Sequence, residues 1–208
     1  MWGHRHEGMS NMVLSIEELK VLAANLRKEG LNTQQIADEL SLSQDTITWL
    51  LTGTGEQDRP TDVRIGWRTL GVRPHRIASV GAIMADVADE EIGFDNVDTV
   101  VGISINGIAF AYEVARSLES DMTVFRTTDG GEGNGSLSNK YGQVAGKSVI
   151  IIDDVLSSGV TMSKTIESIR ESGGEVVLAV VLVNKTTRNE IHDGPLRGLI
   201  RAVAVGGG

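Results

Sequence analysis

The residues best placed to do chemistry are Ile150-Ile151-Ile152-Asp153-Asp154-Val155-Leu156-Ser157-Ser158-Gly159-Val160-Thr161. An apolar run ends in two acids, and a short Ser/Gly/Thr turn then leads into a helical pattern. Carboxylates at the carboxyl end of a strand can hold ribose hydroxyls or a hydrated magnesium ion. Backbone N–H groups of 157–161, at the start of a helix, can cradle a phosphate. The Ser and Thr hydroxyls add donors, and Gly159 lets a ligand approach the backbone closely.

A second stretch, 33–50, has the spacing of a helix-turn-helix. Ile36, Leu40, Leu42, Ile47 and Leu50 are apolar, with small Ala37 between them. This template has a supporting helix, a tight turn and a second helix whose outer face is free. That face would carry Ser43, Gln44, Asp45, Thr46, Thr48 and Trp49. Gln pairs bidentately with adenine, and Ser and Thr reach bases or phosphates. Arg59, just beyond, would meet the DNA backbone. The competing reading is a helical packing or dimerisation unit, with Trp49 as a core anchor.

The elements that position these residues follow from periodicity. Ser15 and Glu18 form a capping box, and Leu19, Leu22, Ala23 and Leu26 recur at helical spacing up to Gly30. Helices are expected over 33–40, capped by Asn32 or Thr33, and over 44–51, capped by Ser43. Residues 54–59 read as a linker, and alternating Val63, Ile65 and Trp67 as a short strand. A helix is expected over 76–91. Strands at 99–103, 122–126, 148–152 and 176–183 alternate with helices at 107–118 and 160–172. Residues 127–143 form a long polar loop with five glycines. Strands apolar on both faces, alternating with helices, give an α/β domain with a parallel sheet flanked by helices.

Composition narrows the classes. The 208 residues contain no cysteine, which excludes disulfides, thiolate zinc sites and cysteine nucleophiles. The histidines, at 4, 6, 75 and 192, show no ligand-like clustering beyond the first residues. No run of 18 apolar residues is present, so no membrane span is expected and the chain reads as cytoplasmic. The polar start, 1–8, reads as a leader, with Met9 or Met12 opening the natural chain. The net charge is −9, which argues against non-specific nucleic-acid binding. The exception is 57–76, where Arg59, Arg64, Arg68, Arg73 and Arg76 face only Asp58 and Asp62.

Residues 150–161 closely resemble the phosphoribosyl diphosphate (PRPP) binding signature of the type I phosphoribosyltransferases. The resemblance implies that Asp153 and Asp154 hold the ribose hydroxyls and, directly or through water, magnesium. Ser157, Ser158, Gly159, Val160 and Thr161 would hold the 5′-phosphate. The family's diphosphate loop corresponds to Gly102-Ile103-Ser104-Ile105-Asn106-Gly107, which puts Ser104 and Asn106 at the diphosphate. Arg126 matches the arginine by which orotate phosphoribosyltransferases reach it. A lid is implied at 127–142, but its chemistry departs from the enzyme. Thr127-Thr128-Asp129 stands where lysines are found, Lys140 is the lid's one lysine, and it has no histidine. Charge developing on a diphosphate leaving group needs cations and an acid, and one electrostatic donor alone is worth ~10²–10³ in rate. Ligand binding with little or no catalysis is therefore expected.

The whole arrangement resembles archaeal transcriptional regulators with an N-terminal helix-turn-helix and a C-terminal orotate-phosphoribosyltransferase-like domain, of the sugar-catabolism type. Bacterial purine repressors of similar build use PRPP as effector. The resemblance implies a DNA-binding domain at 12–56, a basic linker at 57–75 and a PRPP-binding domain at 76–205. It also implies magnesium, a homodimer and promoter DNA as partner. The alternative is an active orotate or purine phosphoribosyltransferase with a helical oligomerisation domain.

Overall fold

A computed structural model describes residues 14–53, 55–128 and 134–203. The expected leader lies outside them. The described residues divide into two compact units, one up to Val72, the other Arg73–Val203.

The first unit contains α1 (Ile16–Lys28), α2 (Thr33–Leu40), α3 (Gln44–Thr52) and a short α4 (Arg68–Gly71). Each of the first three begins on a side-chain cap. Ser15 and Glu18 form the expected box, Asn32 forms a second with Gln35, and Ser43 accepts from Thr46 N–H. These caps satisfy donors that a helix start otherwise leaves open. Ala23, Ile36, Ala37, Leu40, Ile47, Trp49 and Leu50 form the core, with Leu19, Leu22 and Leu26 packed on it.

The expected strand at 63–67 is not formed. Extended chain instead crosses the turn between α2 and α3: Ile65 N–H donates to Ser41 C=O (3.3 Å), and Arg64 Nε donates to Leu40 C=O (3.1 Å). Asp62 Oδ2 accepts from Ser43 N–H (2.7 Å) and from Thr46 Oγ1 (2.9 Å). The alternation at 63–67 reflects one side of the chain lying on a helical unit rather than in a sheet.

The second unit opens with α5 (Pro74–Ile92), which starts two residues earlier than periodicity suggests because Pro74 occupies its first turn. Proline there costs no hydrogen bond and presets the backbone. The sheet follows: β1 (Thr99–Ile103), α6 (Gly107–Ser117), β2 (Asp121–Thr127), β3 (Gly135–Leu137), β4 (Ser148–Leu156), α7 (Val160–Glu171), β5 (Glu175–Asn184), β6 (Glu190–Ile191) and β7 (Gly194–Arg201).

The order is β3-β2-β1-β4-β5-β7-β6. The five central strands run parallel, and β3 and β6 pair antiparallel at the edges. The α/β expectation holds, with a mixed rather than wholly parallel sheet. Val101, Ile103, Val149, Ile151, Ala179 and Val181 of the sheet pack with Met162, Ile166 and Ile169 of α7. A bidentate ion pair joins Glu91 at the end of α5 to Arg197 of β7 (2.6 and 2.8 Å). Among the described residues, no helix is long and apolar enough to cross a membrane.

Candidate functional site

The connection from β1 leads outward to β2, and that from β4 leads the other way to β5. Winding thus reverses between the neighbours β1 and β4. Open α/β sheets bind ligands at such a point, beyond the carboxyl ends of the strands. Gly102 of β1 pairs with Ile152 of β4. Segments 104–107 and 157–161 therefore leave the sheet side by side.

Glycine makes this approach possible. A Cβ on Gly107, the first residue of α6, would lie 2.7 Å from Ile152 O and 3.1 Å from Asp153 Oδ1. Gly159, which precedes α7, holds a left-handed φ of +86°. Neither α6 nor α7 receives a side-chain cap from its N-cap residue, Asn106 or Gly159. Two helix starts whose N-cap residues give no side-chain cap, each with a positive dipole end, therefore sit at one place, which suits an anion.

Asp153 and Asp154 are half-buried beside them, near the end of β4, which continues to Leu156. Asp153 Oδ1 accepts from the backbone N–H of Asp154 (2.9 Å). Ser157 is half-buried and Ser158 exposed; Ser158 Oγ accepts from Val160 N–H (3.4 Å). Thr161 lies in the first turn of α7. On the other loop, Ser104 Oγ accepts from Thr127 N–H (3.1 Å), which ties the loop to β2; Asn106 is half-buried at the helix start. The Ser104–Ile105 peptide is cis.

Among the described residues no group of three or more His, Cys, Asp or Glu forms a metal cluster. Magnesium is commonly held by one or two carboxylates, with water and phosphate oxygens completing the shell. Asp153 and Asp154 fit that mode.

Arg126 is exposed near the end of β2, opposite Ser136 of β3. Part of the expected lid, 127–142, is held against β2. Thr128 N–H donates to Asn134 C=O, Ser138 N–H to Val124 C=O and Gly142 N–H to Met122 C=O, at 2.8–2.9 Å. Residues 134–142, exposed Lys140 included, thus run back along β2. Residues 129–133 of the expected lid lie outside the described residues.

Sequence reasoning missed Arg188. Its Nη1 would lie 3.3 Å from a Cβ on Gly159, so the guanidinium sits beside the turn into α7. Fully buried Asn184 holds the preceding turn: its Nδ2 donates to Arg188 C=O (2.9 Å), and its Oδ1 accepts from Thr186 N–H and Oγ1 (both 2.8 Å). Lys185 N–H donates to Leu156 C=O (2.9 Å), fastening this turn to β4. The signal was available: residues 185–188 follow an apolar strand and leave the same end of the sheet as the other loops.

In the first unit, α3 corrects two placements. Thr46 (8% exposed) and Trp49 (6%) face inward rather than outward. Thr46 spends its hydroxyl on Asp62, and Trp49 donates Nε1 to Gly55 C=O (3.2 Å). Lys20 and Arg59 lie over the indole, 5.6 and 5.9 Å from its centroid. Ser43 is held by its cap and by Asp62. Thr48 is exposed, as is Asp45, and half-buried Gln44 donates to Gln34.

A family model described as phosphoribosyl transferase domain matches residues 66–202. A Thermoplasma acidophilum protein named transcriptional regulator GfcR is 40% identical over 196 residues, covering 93% of this chain and 98% of that protein. The chain belongs to the GfcR family of phosphoribosyl transferase domain proteins. A GfcR of Archaeoglobus fulgidus is 37% identical over 195 residues, covering 91% of this chain and 98% of that protein. Among solved structures, orotate phosphoribosyltransferase from Aeropyrum pernix is similar with a TM-score of 0.55 at 23% identity, over 86% of this chain and 93% of that one. That likeness shows the fold. The GfcR family membership accounts for the type I phosphoribosyltransferase topology, and the family's name is that of transcriptional regulators.

Proposed function

We propose that this chain is a DNA-binding transcriptional regulator whose phosphoribosyltransferase domain senses PRPP or a related phosphorylated ribose compound without turning it over. The carrying observation is the pair of uncapped helix starts, α6 and α7, beside Asp153 and Asp154 at the sheet's switch point. Asp153 and Asp154 hold the ribose hydroxyls, and magnesium where present. Residues 157–161 take the 5′-phosphate on backbone N–H groups and hydroxyls. Asn106, the 102–107 loop and Arg126 take the diphosphate; magnesium supplies countercharge to it. Arg188 adds a cation over the phosphate turn. Residues 127–142 contribute one lysine and no histidine, which leaves the leaving group without the charge and acid that transfer needs.

The helices of residues 12–56 read DNA through Ser43, Gln44 and Thr48, with Arg59 near the backbone. Residues 57–75 link them to the ligand domain at 76–205. A homodimer would place two reading helices about one helical turn of DNA apart, or a multiple of that.

Titration calorimetry with PRPP and magnesium, on wild type and Asp154→Asn, tests the reading when a promoter fragment is added to the same samples. Micromolar binding that the variant loses, with DNA affinity altered by ligand, supports it, because coupling between two sites is reciprocal. Base-dependent release of diphosphate above background favours an active phosphoribosyltransferase instead.

A further inference from the structure

The start of α3 carries a chain of amides with a fixed direction. Gln34 of α2 donates from Nε2 to Asp38 Oδ1, one turn along the same helix (2.7 Å). Gln44, the first residue of α3, donates from Nε2 to Gln34 Oε1. An ionised carboxylate only accepts, so Asp38 decides which end of the Gln34 amide faces it. The Gln34 oxygen is thereby turned to Gln44 and demands a donor. One N–H of Gln44 is committed inward, and its second N–H and its oxygen remain for a ligand.

That outward pair is a donor beside an acceptor. In the major groove adenine presents N7, an acceptor, beside the N6 amino donor, which is the complement. Guanine presents two acceptors, O6 and N7. A free glutamine could turn its amino group toward them, but Gln44 has one N–H engaged and its oxygen would meet O6. Elsewhere the outer face of α3 offers exposed Asp45, Thr48 and Thr52 and no cation. Among these side chains Gln44 is the one whose remaining donor and acceptor match a single base in two bonds.

We propose that Asp38, Gln34 and Gln44 form a relay that makes this helix select adenine over guanine at one base pair of each half-site. Gln44 is the contacting residue; Gln34 and Asp38 are positioning residues. The inference rests on the DNA-binding reading above and deepens it.

The test is selection from a random duplex library by the full-length protein, compared with Gln44→Ala, Gln44→Arg and Asp38→Asn. Thermal melts confirm that each variant is folded. The wild type should enrich a site with one A·T pair at which adenine is preferred over guanine by roughly 5- to 150-fold. Gln44→Ala should lose the preference at that pair alone. Gln44→Arg should move it to guanine, which arginine reads bidentately. Asp38→Asn should narrow the adenine-to-guanine ratio with little change in affinity for the preferred site, an effect a purely structural role would not produce. If the wild type enriches a site and all three variants select the same bases, the relay is overturned while DNA binding stands. If the wild type enriches nothing, both fall.

Discussion

Three helices of the first unit and two of the second begin in different ways. In the first, α1, α2 and α3 each open on a side chain, Ser15, Asn32 or Ser43, that takes an N–H of the first turn. Asp62 adds a carboxylate at the start of α3. In the second, α6 and α7 open on Asn106 and Gly159, neither of which caps its helix. Capped starts spend first-turn donors on the side chain of the N-cap residue, whereas the N-cap residues of α6 and α7 take none. The chain's charge of −9 sharpens the contrast. On the proposed reading, a phosphorylated ligand would be repelled by the molecule as a whole and drawn in by local features, two helix dipoles with Arg126 and Arg188.

The strongest way to break this contrast is Gly107→Ala. The added Cβ would meet backbone at 2.7 and 3.0 Å, at Ile152 O and Asp153 Cα, where nothing flexible can yield. Overpacking of this kind costs about 1–3 kcal/mol. It also pushes α6 from the seam, so PRPP affinity should fall at least about tenfold, since a loss of ~1.4 kcal/mol is tenfold in Kd. Melting and calorimetry on one preparation read both. Retained affinity would mean that the α6 start is not part of the site.

The seam was legible in sequence because an apolar strand, two acids and a glycine turn are contiguous in the chain. The contributions to each site that were missed come from residues far apart along it. Asp62 reaches Ser43 and Thr46 across the linker, and Arg188 reaches Gly159 from the next loop. Strand β7 was hidden for another reason. Gly194, Pro195 and Gly198 break its apolar pattern, yet a Cβ on Gly198 would lie 2.7 Å from that of Asn184, so the close approach of β7 to β5 needs glycine. Thr46 and Trp49 were misplaced because α3 was treated as having a free outer face. The strap at 62–65 covers part of it, and the indole closes the core.

On the capped side, Asp62→Ala should leave the N–H of Ser43 without its acceptor and the hydroxyl of Thr46 with Ser43 Oγ alone. An unsatisfied half-buried group costs about 1–3 kcal/mol. Denaturant unfolding should report that loss, with PRPP affinity unchanged. Asn32→Ala should be milder, about 1 kcal/mol, as expected for loss of an N-cap. It too should leave PRPP affinity alone. Altered ligand affinity in either variant would contradict the division between self-satisfied and ligand-facing helix starts.

The smallest effect separates the two capping boxes from each other. Hydrogen bonds from the backbone N–H and then the hydroxyl of Ser15 hold the Glu18 carboxyl below the ordinary carboxylate range. Gln35, in the matching position of the second box, cannot ionise. A carboxyl whose folded pKa is lowered adds stability above its unfolded value, about 4.3, and loses it as pH falls through the lowered value. Melting wild type and Glu18→Gln from pH 7 to pH 3 should therefore show a small wild-type advantage that shrinks in acid. Gln35→Ala should instead shift the melt by an amount independent of pH over that range. Parallel curves for wild type and Glu18→Gln would show that the ionised state of Glu18 contributes nothing to the start of α1.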